Sequence, residues 1–237
     1  MCERAVILAG GQGTRLRPYT YVLPKPLVPV GKYPISEILV RQLAACGVRR
    51  VTVAVGYHAN LIQAYFGDGR QWGIQLDYSL ESQPLGTIGP LRLIPDLPDT
   101  FLLMNGDILT DLDFTDLWRR HRESGCRFTV AAATRRHRID YGVLKVDAHR
   151  LVGFEEKPSV EYIVSMGVYV VNRDVLSLVP ADTAYSFDAL MLDLLRRNDP
   201  VNIYSHHGYW LDIGRPDDHA QAVEEFTDME ARLLPHG

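Results

Sequence analysis

The chain has 237 residues, of which 46% are hydrophobic and 23% charged, with a formal net charge of −4. This composition supports a real folded core. It offers no broad basic field for nucleic acid or an anionic membrane, so a phosphate ligand must be held by a local constellation.

Residues 5–8, Ala-Val-Ile-Leu, read as a buried strand running into glycines. That run is too short for a signal-peptide core or a bilayer span, and no later run reaches membrane length. Ile35, Ile38, Leu39, Gln42 and Leu43 follow helical spacing towards a stop at Gly47, with Cys46 expected to pack in the core. Residues 51–55 form a second strand, a short helix passes through Ile62 and Phe66, and 74–78 form a third strand. Residues 101–104 make another buried strand, closed by Asn105-Gly106-Asp107. Closely spaced strand candidates follow at 127–133, 142–146, 152–155 and 166–171. Helices return at 186–197, with Ser186 as N-cap, and from about Pro216.

The alternation predicts a Rossmann-like α/β fold: a mixed, mainly parallel central sheet flanked by helices, with a β-rich second part. No Pro/Gly/Ser linker divides the chain. A single domain over 1–237 is therefore expected, its halves (about 1–112 and 113–237) sharing one sheet. No internal repeat or hexapeptide β-helix pattern is visible. Cys2, Cys46 and Cys126 show neither a disulfide framework nor metal-ligand spacing, which makes a reducing cytoplasm the expected setting.

Ala9-Gly10-Gly11-Gln12-Gly13-Thr14-Arg15 has the make-up of a phosphate loop. Glycines let the backbone turn sharply and bring N–H groups close to phosphate oxygens, and Arg15 adds a planar fork of donors. A tight turn with a solvated arginine would use the same residues. A dinucleotide loop fits badly, because Leu16 stands where the third glycine belongs and no acidic residue ends the second strand, at Val55-Gly56-Tyr57. The Gly-Lys-Ser/Thr of a Walker A loop is missing as well. Lys25, between Pro24 and Pro26, is expected on a stiff, extended segment suited to a second phosphate contact. Asp107 and Asp212 each end an apolar approach. They suit magnesium, which takes one or two carboxylates and completes its shell with water and phosphate; a cap or turn role stays open for either. Asp111 and Asp113 are expected to serve the turn and the start of the next helix. His206, His207 and His219 lack metal spacing, and no nucleophile elbow or Ser-His-Asp order appears.

The stretch Leu8-Ala-Gly-Gly-Gln-Gly-Thr-Arg-Leu-Arg-Pro18 with Pro24-Lys-Pro-Leu-Val-Pro29 closely resembles the sugar-1-phosphate nucleotidyltransferases, and the likeness runs to Trp210-Leu-Asp-Ile-Gly-Arg-Pro216. The resemblance implies nucleotide contacts from Leu8, Ala9, Gly10, Gly11, Gly13, Thr14, Asn105 and Gly106, catalytic roles for Arg15 and Lys25, and Mg2+ held by Asp107 and Asp212. Glu81-Ser-Gln-Pro84-Leu-Gly86-Thr87-Ile88-Gly is similar to the family's base-recognition loop, with Ile88 in place of an alanine. Glu81, an acceptor-only side chain, complements guanine's N1–H and N2 amino donors, so GTP is the favoured donor and UTP, dTTP or CTP the alternatives. The sugar-1-phosphate is expected at Tyr141-Gly142, Glu156-Lys157 and Ser165-Met-Gly167; Ser165 replaces an asparagine common in the family. Trp210 suits pocket lining and core packing equally. The expected partners are a nucleoside triphosphate and a sugar-1-phosphate, without nucleic acid or membrane; a homo-oligomer and a catalytically silent regulatory subunit are compatible alternatives.

Overall fold

A computed structural model describes residues 2–234. Strand β1 (Arg4–Ala9) is followed by two short strands, β2 (Pro29–Val30) and β3 (Tyr33–Pro34), and by helix α1 (Ile35–Ala45). Next come β4 (Arg50–Val55), α2 (Ala59–Phe66), β5 (Gln75–Leu80), β6 (Thr100–Asn105), β7 (Ile108–Thr110) and α3 (Phe114–Ser124). The second half adds β8 (Phe128–Arg138), β9 (Val143–Asp147), β10 (Arg150–Glu155), β11 (Ser159–Asn172), α4 (Phe187–Arg196), β12 (Val201–His206), β13 (Trp210–Asp212) and α5 (Pro216–Leu233).

Seven strands form one sheet in the order β12-β8-β11-β6-β1-β4-β5. β6, β1, β4 and β5 run parallel, β11 is antiparallel to both its neighbours, and β12 is parallel to β8. The sheet is therefore mixed and mainly parallel, with strands from both halves of the chain meeting where β6 pairs β11. Side-chain alternation divides the core. Ala5, Ile7, Val51, Val53, Leu102 and Met104 face one layer with α1, α2 and α3, while Val6, Phe101, Leu103, Phe128 and Tyr169 face the other with α4. A third cluster joins Leu16, Val28, Ile35, Ile38, Leu211 and Phe226. In this way α5, from the end of the chain, packs beneath the glycine loop at its beginning. No described helix is long and apolar enough to cross a membrane.

Several elements extend beyond the sequence pattern. β8 and β11 continue outward as a paired ribbon, Arg138 opposite Ser159, where the exposed run Arg135-Arg136-His137-Arg138 hides the strand from hydropathy. The strand β12, with no fully buried residue, Ile203 exposed and Asn202 and Ser205 interrupting its apolar run, is likewise absent from the sequence reading. Asp113 caps α3, accepting from Thr115 N at 2.8 Å and Asp116 N at 3.0 Å. Asp111 departs from its expected turn role, because its carboxylate reaches across to Tyr209, His206 and Arg232. Cys46 is half-buried against the first cluster.

His121, buried on α3, lies 2.8 Å from Thr129 Oγ1 and 3.1 Å from Asn172 Oδ1, which also accepts from Thr100 Oγ1 at 2.7 Å. Burial lowers its pKa below the ordinary 6.5. The unfolded chain takes up a proton near about 6.5, before the folded chain does. His121 therefore contributes fully above that pH, and the contribution is lost as pH falls towards the lowered folded value. Wild-type urea midpoints should decline just below pH ~6.5 more steeply than those of His121→Gln. Equal slopes would contradict this account.

Candidate active site

β1 ends at Ala9, and the chain turns through 10–13 into a 3-10 turn, Thr14–Leu16. Gly13 has φ +61°, and a Cβ there would meet Thr20 Cγ2 at 2.9 Å, so conformation and space both require glycine. Thr20 Oγ1 donates to Gly13 O at 2.8 Å and fixes the turn. Leu16, standing where a dinucleotide loop would have glycine, is buried in the third cluster and anchors the turn from below. Lys25 opens a further 3-10 turn, Lys25–Leu27, after an extended Pro24. This corrects the extended conformation expected of Lys25. Leu27 N donates to Pro24 O at 2.8 Å, and Ser36 Oγ donates to Pro26 O at 2.8 Å, so the segment is stiff for a different reason.

The two aspartates converge through backbone pairing. β6 delivers Asn105-Gly106-Asp107 to the carboxyl edge of the parallel strands, where Gly106 N donates to Leu8 O at 2.9 Å. β7 then pairs antiparallel with β13, Asp212 opposite Ile108, and Ile213 N donates to Asp107 O at 2.9 Å. Asp107 forms an ion pair with Lys25, their side chains 19% and 12% exposed. Burial, and then the nearby Asp107 carboxylate, push the Asp212 pKa up; the Lys25 and Arg15 charges oppose that shift. The Arg15 guanidinium also lies beside Gly214.

Among the described residues Asp107 Oδ1 is buried without a hydrogen-bond partner, which leaves an acceptor beside a second carboxylate. A hard divalent cation fits such an oxygen pair. Among the described residues no group of three or more His, Cys, Asp or Glu could hold a metal by itself. The donor set therefore suits magnesium that shares its shell with phosphate and water.

A cavity of about 850 Å3 opens at this edge. Of the residues singled out in the sequence, Leu8, Ala9, Gly10, Gly11, Arg15, Lys25, Glu81, Pro84, Gly86, Thr87, Asn105, Gly106 and Asp107 line it. Gly13, Thr14 and Asp212 are not in its wall. The wall also contains Gln12, Tyr57, Ser82, Gln83 and Ser186, which sequence reasoning passed over. The position of Tyr57 just past a parallel strand end was the available signal. The Glu81 carboxylate lies so close over Gly10 that a Cβ there would overlap it, and its Oε2 accepts from Leu85 N at 3.2 Å. The loop beyond is clamped to the start of α4: Ile88 N donates to Tyr185 O at 3.0 Å and Phe187 N to Thr87 Oγ1 at 2.8 Å. Ile88 itself is buried in the second cluster.

The expected sugar-side residues stand outside this wall. Tyr141 is 79% exposed. Gly142 packs against the Phe154 ring and near Glu156 Oε2, and Lys157 follows with φ +44°. These four gather at the base of the β9–β10 hairpin, whose strands pair only with each other among the described residues. Ser165 and Gly167 sit at an irregularity in β11. The Ser165 hydroxyl is engaged with Tyr169 OH at 3.2 Å and Gly167 N at 3.3 Å, while Gly167 packs on the Asn105 side chain. Trp210 is half-buried against the first cluster and donates to Met166 O at 3.0 Å.

Residues 4–229 match the nucleotidyl transferase family. The chain is 33% identical over 250 residues to a UTP–glucose-1-phosphate uridylyltransferase of Synechocystis sp., covering 97% of this chain and 64% of that protein. It is 33% identical over 225 residues to a mannose-1-phosphate guanyltransferase of Yarrowia lipolytica, covering 91% and 61%. The chain thus spans less than two thirds of the length of these curated relatives. Among solved structures, HddC from Yersinia pseudotuberculosis complexed with GMP-PN superposes with a TM-score of 0.70 at 27% identity, covering 94% of this chain and 99% of that one.

The close approach of Glu81 to Gly10 has a stability consequence. Gly10→Ala must displace only the flexible end of Glu81 and its bond to Leu85 N, so it should destabilise the fold modestly, by about 1 kcal/mol. Adding Glu81→Ala should recover much of the loss. Urea denaturation of the two single variants and the double variant checks this, and simple additivity would contradict the contact.

Proposed function

Because the chain belongs to the nucleotidyl transferase family, we propose that it transfers a nucleotidyl group, from GTP in preference, to a sugar-1-phosphate and releases pyrophosphate. The observation that carries this reading is the charge cluster at the cavity: Lys25 paired to Asp107, Asp212 beside them, Arg15 close by, and one Asp107 oxygen left without a donor.

In this reaction an oxygen of the sugar phosphate attacks the α-phosphorus, and the bond from that phosphorus to the pyrophosphate oxygen breaks. The nucleophile is already an anion, so no general base is needed, and catalysis rests on alignment and charge neutralisation. Lys25, held stiffly after Pro24, stabilises the developing charge on the α-phosphoryl oxygens. Arg15 grips the departing phosphates with its planar fork. Asp107 and Asp212 would hold Mg2+, which would supply charge neutralisation to the phosphates. The loop backbone at Gly10 and Gly11 approaches the triphosphate. Gly142, Glu156 and Lys157, gathered at the hairpin base, serve the sugar and its phosphate, with Tyr141 on their exposed side.

Guanine is favoured by Glu81, an acceptor-only side chain that lines the same cavity as the glycine loop. Guanyltransferase relatives and the GMP-PN complex of HddC agree with that choice. Uridylyl transfer is the second reading. One Glu81 oxygen is already engaged by Leu85 N, and Gln83, in the same wall, offers both a donor and an acceptor to uracil. The uridylyltransferase relative agrees with it.

Incubating GTP, UTP, dTTP and CTP in turn with several sugar-1-phosphates and Mg2+, and weighing the products, separates the two readings. GTP is expected to give the fastest turnover, and a clear UTP preference would favour the second reading. Lys25→Ala and Asp107→Asn should each lower turnover by about 10²–10³-fold while keeping native circular dichroism. Near-normal turnover in both would overturn the mechanism.

A further inference from the structure

Asp111 lies four residues beyond Asp107, at the far end of β7, and is not in the cavity wall. Its side chain is 12% exposed, and both of its oxygens are used. Oδ1 accepts from Tyr209 N at 2.7 Å and from His206 Nε2 at 3.0 Å, and Oδ2 pairs with Arg232 in the last turn of α5. The backbone adds a reciprocal bond, Asp111 N to Tyr209 O at 3.2 Å, and Thr110 Oγ1 donates to the same carbonyl at 3.0 Å. From α1, the buried Gln42 donates to Thr110 O at 2.7 Å and to Leu233 O at 2.9 Å.

These bonds converge on one ladder. β7 and β13 are three residues each, and a two-stranded pair of that length has little stability of its own. Yet its register brings Asp212 beside Asp107. A slip of one residue would turn Asp212 to the opposite face. Ile213 N to Asp107 O closes the ladder at the cavity end, and Asp111 closes it at the other. We propose that Asp111 is a positioning residue: through Tyr209 and Arg232 it pins the β7–β13 register and so sets the Asp107–Asp212 pair that receives the divalent cation. The inference rests on the nucleotidyl-transfer reading above. It adds that the last turn of α5 is mechanically part of the site.

The test uses the full chain, with Mn2+ as the probe, titrated calorimetrically in the presence of a non-hydrolysable GTP analogue, alongside steady-state kinetics. In Asp111→Asn, Mn2+ affinity should weaken by about 10–100-fold, the usual effect of removing a group that orients a ligand. The turnover number should fall in parallel. At Mn2+ concentrations that saturate the variant, the KM for the nucleotide should stay within about twofold, because Asp111 does not touch the cavity wall. Arg232→Ala, a milder cut at the exposed end of the clamp, should move both quantities the same way by a smaller factor. Unchanged Mn2+ affinity and turnover in folded Asp111→Asn would overturn the proposal. If that variant does not fold, Arg232→Ala decides, and no shift in its Mn2+ affinity overturns the proposal equally. A wild-type chain that turns over with Mn2+ while the variants match it rejects the clamp alone. A wild-type chain that neither binds Mn2+ nor turns over rejects the clamp together with the reading beneath it.

Discussion

Two carboxylates held side by side in a half-buried setting repel one another, and each pays a desolvation cost unless positive charge is close. In this protein Lys25 is paired to Asp107, and the Lys25 and Arg15 charges both act on Asp212. The rest of the architecture serves that balance. The carboxyl edge of β6 supplies one aspartate, and a short antiparallel ladder returns the other from more than a hundred residues away. The loop after β1 and the turn after Pro24 supply the cations. Among the described residues Asp107 Oδ1 has no donor, so this pair still presents a free acceptor oxygen beside Lys25 and Asp212.

The sheet makes this possible by its polarity. Four neighbouring parallel strands end at one edge, so the glycine loop, Gly56-Tyr57, Glu81 and Asn105 come from different parts of the chain to one opening. The third core cluster then ties the back of the loop, through Leu16 and Val28, to Leu211 beside Asp212 and to Phe226 on α5. Loop, carboxylate pair and terminal helix therefore share one hydrophobic support.

Much of this was legible in the amino-acid order. The glycine loop, Lys25 between prolines and the two aspartates stand out in the sequence, and the fold brings Arg15, Lys25, Asp107 and Asp212 together. Buried parallel strands are likewise continuous apolar runs. What stayed hidden has physical reasons. The outer β8–β11 ribbon is built of exposed, charged residues, so pairing and not hydropathy defines it. The β9 and β10 strands were legible at 142–146 and 152–155, but their turn on Ala148-His149, both with positive φ, lacks the Asn-Gly signal that would have marked a hairpin. Gln83 and Ser186 enter the cavity wall through loop packing. Asp111 looked like a local turn residue because its partners, Tyr209 and Arg232, are remote in sequence. Gly13, expected to contact the nucleotide, shapes the turn behind the cavity and does not line it.

The central claim is that Asp107 and Asp212 act as one unit in moving a nucleotidyl group. A double-mutant cycle on turnover, comparing Asp107→Asn, Asp212→Asn and the pair together at saturating substrates and Mg2+, tests it most directly. Residues acting as a unit are strongly non-additive, so the double variant should be about as slow as the slower single variant. Losses that simply multiply would mean that the two carboxylates work independently, and the account built on their pairing would fail.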